Sequence, residues 1–147
     1  MTPAGPDLAS LTIESLIPHR GRMLLVDEIL EIDDRQATTL SVVREDWPLF
    51  KDGFCSPLIL IELVAQTSGI HNGLTRLKER GTDEDIGGWL VGVKQVVFHT
   101  AAIAGGKRIT TTAKNAFVFD DLREISGSAT IDGAIAAEVT LQVMEAK

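Results

Sequence analysis

Acid–base chemistry needs a titratable side chain placed where water is scarce, and the stretch 56–77, SPLILIELVAQTSGIHNGLTRL, offers one. Glu62 is the only Asp, Glu, Lys or Arg between Asp52 and Arg76, and Ile59, Leu60, Ile61 and Leu63 surround it in sequence. A carboxylate in such a setting must be paired, protonated or used. Burial raises a carboxyl pKa, so Glu62 is expected above its ordinary value, acting as general acid, or as base if unpaired. The structural alternative is a buried ion pair with Arg20 or Arg22. His19, in the loop Pro18-His19-Arg20-Gly21, is the candidate partner; an imidazole that only holds a backbone carbonyl at the mouth of the site is an equal alternative. Gln66 lies one helical turn beyond Glu62 on the same stripe and is a candidate for contacting substrate.

The other reactive residue types are weaker candidates. His71 falls on the helix face opposite Glu62, and His99 ends a strand, where capping is the expected role. The three histidines show no zinc spacing, and no metal or cofactor is expected. Cys55 precedes a helix N-terminus, which lowers a thiol pKa; the competing and favoured reading is a small buried residue. Asp52 is a candidate base, with a turn residue slightly favoured because Gly53 follows it. Gly53 and Phe54 offer backbone N–H groups, and with Cys55 they form a candidate substrate-contacting loop. Arg20, Arg22, Lys51, Arg76, Lys107 and Arg108 are candidates for docking an acidic partner or a phosphate.

Those residues need a scaffold. The 147-residue length fits one domain, 1–147, with 1–7 as a loose tail. A net charge of −7 argues against nonspecific nucleic-acid binding. Cys55 is the single cysteine, so no intrachain disulfide forms; a cytoplasmic location is the expectation. Met1–Ser10 has no signal-peptide pattern, and apolar runs such as Leu58–Ile61 are too short to span a bilayer.

Helical spacing of Ile59, Leu63, Thr67, Ile70, Leu74 and Leu77 predicts one long buried helix, opened by Ser56-Pro57. Leu58, Leu60 and Ile61 make its first turns apolar nearly all round, so protein should cover most sides. Gly69 and Gly73 on one stripe predict close approach of another backbone. A short helix is read at Leu8–Ile17, strands at Met23–Ile32 and Gln36–Val43, and a loop at Arg44–Cys55. Lys78–Gly88 reads as a mobile loop. Leu90–His99, apolar on both faces, reads as a central strand, and Ala101–Gly106 as a turn. Lys107–Phe119 alternates, with Ile109, Thr111, Ala113, Asn115, Phe117 and Phe119 on one side. Leu122–Ile131 and Ala134–Met144 flank the hairpin signal Asp132-Gly133. Two strands, one helix and four strands make an α+β fold, an antiparallel sheet of about six strands curled around the helix.

Two passages carry a family resemblance. LIPHRGRMLLVDEILEID resembles the PHR…LLVD signature of 3-hydroxyacyl-acyl-carrier-protein dehydratases. LILIELVAQTSG resembles the start of their central helix, with Glu62, Ala65 and Gln66 at the matching positions. The resemblance covers about residues 16–73 and implies the hot-dog fold. It departs before the helix, where the family's best-known branch has Gly-His-Phe-Pro with a catalytic histidine and this chain reads FKDGFCSP. In that respect it resembles a divergent branch associated with aryl-polyene pathways. The resemblance implies a substrate thioester on acyl carrier protein or coenzyme A and falls on Glu62 as a catalytic residue; His19 as its catalytic partner is read from its own loop, and oxyanion donors from the free N–H groups of the first helical turn. It also implies a homodimer or dimer of dimers joined at sheet edges, which would cover the doubly apolar strand. A thioesterase using Asp52 or Glu62 to activate water, and a non-catalytic acyl-binding subunit of a dehydratase dimer, remain alternatives.

Overall fold

The computed structural model describes residues 12–80 and 88–145. In chain order the strands are β1 (Glu28–Ile32), β2 (Gln36–Val42), β3 (Phe50–Lys51) and β4 (Phe54–Cys55), followed by helix α1 (Ile59–Arg80). Then come β5 (Gly88–Phe98), β6 (Ile103–Ala104), β7 (Arg108–Phe119), β8 (Leu122–Ile131) and β9 (Ala134–Glu145). Six of them form one sheet in the order β1-β2-β7-β8-β9-β5, with every pair antiparallel. A small sheet, β3-β4-β6, sits beside the start of α1. This is the expected α+β arrangement of one long helix on a six-stranded sheet.

The helix forms where the apolar stripe predicts it. Ile59, Leu63, Thr67, Ile70 and Leu74 are all buried, and α1 packs chiefly on β7 and β2. Each fully buried leucine such as Leu63 contributes about 2 kcal/mol. On the sheet, Ile109 and Ala113, Ile125 and Ala129, and Ala137, Val139 and Leu141 supply the facing core. Gly127 has no side chain because Val64 fills its place: a Cβ there would collide with the Val64 methyls. A Thr39–Thr67 hydroxyl contact of 2.8 Å ties β2 to the helix inside this core.

The second side of α1 is covered by the segment before β1. Leu16, Ile17, Leu25 and Val26 are buried against it. A Cβ on Gly73 would strike the Leu16 carbonyl oxygen, and one on Gly69 would lie 3.0 Å from Ile17 Cγ2. The glycine stripe therefore does mark a close approach, and its partner is this N-terminal segment.

Several boundaries differ from the sequence reading. The first strand begins at Glu28, not Met23; residues 21–23 make a 3-10 turn, because Gln66 takes the backbone of Met23 and Leu25 out of any ladder. Of the helix expected at Leu8–Ile17, only a 3-10 turn at Ile13–Ser15 lies within the described residues. The helix runs on to Arg80, so residues 78–80 are helical, and Gly88 already belongs to β5; residues 81–87 of that expected loop, like the tail 1–7, lie outside the described residues. The loops at 44–55 and 101–106 contain the short strands β3, β4 and β6, which pair with one another.

The largest correction concerns β5. It is not central but the sheet edge beyond β9, and Leu90, Val91, Val93 and Val97 are exposed. An apolar run on both faces reads as interior, yet among the described residues no further strand pairs with its outer edge. In β7 the alternation holds only to Asn115. A register shift between Asn115 and Phe117 turns Phe117, Val118 and Phe119 to solvent. Leu58, just before α1, is also exposed, and Ile61 is half-buried, so the first turn of α1 has an open side.

Candidate functional site

The apolar first turns of α1 bring Glu62 to the edge of the core, and the loop 18–20 brings His19 over it. His19 Nε2 lies 3.0 Å from Glu62 Oε1, with the two side chains 30% and 33% exposed. Gln66, at i+4 on the helix, donates from Nε2 to the same Glu62 Oε1 at 3.1 Å. Oε1 thus receives two donors, while Oε2 has none among the described residues. Because a carboxylate only accepts, His19 carries its hydrogen on Nε2. Its Nδ1 is buried without a hydrogen-bond partner among the described residues.

The loop is held from several sides. Gly21 has φ +60°, a left-handed conformation that suits glycine and turns the chain between Arg20 and Arg22. Arg20 Nη1 donates to the carbonyls of Ile17 (2.8 Å) and His19 (2.7 Å), and Nη2 to that of Glu14 (2.8 Å). Gln66 accepts from Leu25 N–H at 3.0 Å and donates to Met23 O at 2.8 Å. Beyond the loop, Asp27 Oδ2 accepts Val42 N–H at 2.7 Å and Oδ1 pairs with Arg44, which pins the start of β1 to the end of β2. Asp27 was given no role from sequence; its place at the end of the LLVD run was the available signal.

The Glu62 carboxyl is held below its ordinary value, not above it as burial predicts. Desolvation is the largest single influence and pushes upward. It is outweighed by the hydrogen bonds from His19 and Gln66 together with the attraction of the His19 charge. Glu62 is therefore a carboxylate at neutral pH, ready to accept a proton. Neither Arg20 nor Arg22 pairs with it.

The remaining candidates separate from this pair. Burial raises the Cys55 thiol pKa, against a smaller lowering by the Ser56 backbone, so the thiol is not activated and Cys55 is the small buried residue that the sequence reading favours. Its Sγ instead faces Pro48 O at 3.6 Å. Asp52 is exposed at the tip of the β3–β4 hairpin with φ +53°, and Gly53 follows with φ +87°; both serve the turn. Gly53 O accepts Gly105 N–H at 3.0 Å. Phe54, half exposed, borders a cavity of about 350 Å3 with His99, Lys107 and Ile135, separate from Glu62. The expected oxyanion donors of the first helical turn are occupied. Ile59, Leu60 and Ile61 donate to the carbonyls of Ser56, Pro57 and Leu58, and Leu58 N–H donates to Ser56 Oγ.

His71 is buried on the far side of the helix, its Nε2 2.9 Å from Asp33 O. His99 Nε2 pairs with Glu138 at 3.1 Å. Arg76 is buried and cannot dock an acidic partner, Arg20 is committed to backbone carbonyls, and Lys107 pairs with Asp132. No helix among the described residues is long and apolar enough to cross a membrane.

The ApeP-like family, described as ApeP dehydratase, matches residues 11–147. Curated relatives include a 3-hydroxyacyl-acyl-carrier-protein dehydratase FabZ of Streptococcus sanguinis, 29% identical over 135 residues, 88% of this chain and 92% of the relative. The FabZ of Polynucleobacter asymbioticus is 33% identical over 135 residues, covering 88% and 87%. Among solved structures, the dehydratase heterocomplex ApeI:P from Xenorhabdus doucetiae aligns with TM-score 0.83 at 21% identity, over 93% of this chain and 92% of that one. A hypothetical thioesterase with coenzyme A from Streptococcus pneumoniae aligns with TM-score 0.60 at 15% identity, over 81% and 84%. These two structural likenesses are likenesses of fold.

Proposed function

We propose, from the premise that this chain belongs to the ApeP-like dehydratase family, that it removes water from a 3-hydroxyacyl thioester to give the 2-enoyl thioester, with Glu62 and His19 as its proton-handling pair. The observation that carries this reading is the 3.0 Å contact between His19 Nε2 and Glu62 Oε1, which leaves Oε2 open. The Glu62 carboxylate takes the C2 proton on Oε2, and the electron pair of that bond forms the double bond as the C3–O bond breaks. The departing hydroxide takes one proton from the pair and leaves as water. The pair ends with as many protons as it began with, so no cofactor is needed.

The thioester is carried by acyl carrier protein or coenzyme A, the former being the carrier named for the FabZ relatives. The oxygen that becomes enolate-like needs donors that the first turn of α1 does not spare. The exposed β5 edge supports assembly with a second chain, which would also close the open side of α1. A second reading is favoured by one feature: the pre-helix loop Phe50–Pro57 has no histidine. In that reading the chain is the acyl-binding half of a pair whose other subunit is an active dehydratase. The matched ApeI:P complex is itself a heterocomplex.

The test offers three thioesters: 3-hydroxyacyl, 2-enoyl and saturated acyl. Interconversion of the first two without thiol release is expected. Thiol release from the saturated substrate would move the assignment to a thioesterase. Inactivity on all three, with thermal stabilisation by the acyl carrier thioester, would move it to the acyl-binding subunit.

A further inference from the structure

Gln66 is fully buried, and its amide meets three groups from two elements. Its oxygen accepts Leu25 N–H at 3.0 Å, and its two amide hydrogens go to Met23 O at 2.8 Å and Glu62 Oε1 at 3.1 Å. The orientation is fixed chemically, because a turned amide would set its oxygen against two acceptors and its NH2 against a donor. A glutamine needed only to hold the loop would be satisfied by the backbone of Met23 and Leu25. This one spends its remaining hydrogen on the carboxylate.

We propose that Gln66 is the positioning residue of the pair: it fastens the His19 loop to the helix that bears Glu62, and with His19 it fills Oε1 so that proton exchange runs through Oε2 alone. The inference rests on the acid–base reading above. An oxygen that already accepts two hydrogen bonds is the worse place to add a proton, and the charge-assisted bonds it receives favour the ionised form. Without Gln66 the carboxylate would lose one donor and the freedom to rotate would return, so either oxygen could take the proton.

The charged and titratable groups around Glu62 are few. From the loop, His19 faces it, while the Arg20 guanidinium is turned to the carbonyls of Glu14, Ile17 and His19. From the pre-helix segment, the Cys55 thiol faces Pro48 O. Along α1 the next Asp, Glu, Lys or Arg is Arg76, about 21 Å further on at 1.5 Å per residue. Among the described residues, a change in the titration of Glu62 in the uncharged variant Gln66→Met is thus read against His19 alone.

The experiment compares Gln66→Met, similar in length but unable to hydrogen-bond, with Gln66→Glu, which keeps an acceptor for Leu25 N–H and replaces the donor to Glu62 with a second carboxylate. The Glu62 carboxyl is titrated by carbon NMR, alongside the pH profile of kcat/KM on a 3-hydroxyacyl thioester. The expected result is a Glu62 titration moved upward in Gln66→Met and further upward in Gln66→Glu. The acid limb of the pH profile should move with it, and kcat should fall more than KM changes, by about tenfold or more. An unmoved Glu62 titration in a folded variant would overturn the inference and reduce Gln66 to a loop fastener. Should Gln66→Met fail to fold, Gln66→Leu, which also lacks the donor and adds no charge, carries the same readout. The titration needs no turnover: movement in a protein inactive on every thioester would sustain the positioning role and sink the dehydratase reading instead.

Discussion

Replacing Gly73 by alanine puts a methyl group where the Leu16 carbonyl lies. The new Cβ would collide with the carbonyl oxygen and sit 3.2 Å and 3.3 Å from the Leu16 C and Cα atoms. All three are backbone atoms of a buried residue, so no rotamer change relieves the clash. Helix propensity returns about 1 kcal/mol to the variant. Overpacking against a backbone that must move costs about 3 kcal/mol, the upper end of the usual range. The net loss is about 2 kcal/mol, and a chain of this size should lose about 5 °C or more in Tm. Gly69→Ala is the internal control. Its nearest contact, 3.0 Å, is to Ile17 Cγ2, a side-chain atom that can shift for about 1 kcal/mol and so cancel the propensity gain. The loop that Gly73→Ala displaces carries His19 three residues on, and a displacement of about 1 Å at a catalytic group can cost about a hundredfold in rate. Calorimetry with steady-state kinetics on both variants checks this. A Gly73→Ala protein as stable as wild type would refute the close-packing argument, and a destabilised protein with full activity would refute the link from that packing to His19.

Three further outcomes follow from the same geometry. The folded-state pKa of Glu62 is depressed, so its contribution to stability is present above the unfolded value of about 4.5 and is lost as pH falls through the folded value. Pairs of melting curves for wild type and Glu62→Gln should therefore differ most above that pH and converge in acid; a gap that widens in acid would reverse the assigned sign. His19→Ala removes one donor to Oε1 and half of the pair, and should cut kcat/KM by about a hundredfold or more while leaving the fold intact; unchanged kinetics would confine His19 to shaping the loop. Sedimentation at micromolar concentration should show an assembly larger than one chain, and Val93→Glu should weaken it; a wild-type monomer would remove the β5 edge as an interface.

What could be read from the sequence was whatever has a local period or a local turn. The α1 stripe, the β8–β9 hairpin at Asp132-Gly133 and the outward alternation of β7 up to Asn115 all have such signatures, and the structure keeps them. The bulge after Asn115 has none: no glycine or proline marks it, so Phe117 and Phe119 read as core. The position of β5 was misread because an apolar run says that both faces want cover, not whether the cover belongs to the same chain. In the site, the i to i+4 spacing of Glu62 and Gln66 predicts that they share a face, and burial of the carboxyl was legible from its neighbours. The direction of its pKa was not, because that depends on a donor from His19, a loop residue 43 positions earlier whose approach no periodicity encodes. For the same reason the glycines announced a close neighbour without naming Leu16 and Ile17.

The central claim is that Glu62 exchanges the C2 proton through Oε2, and isotope incorporation tests it most directly. The protein is given a 2-enoyl thioester in heavy water, and deuterium at C2 of the 3-hydroxyacyl product is followed by NMR. Wild type should place one deuterium there. Glu62→Gln, nearly isosteric and folded, should incorporate it at least about a hundred times more slowly. Incorporation at the wild-type rate by folded Glu62→Gln would contradict the account.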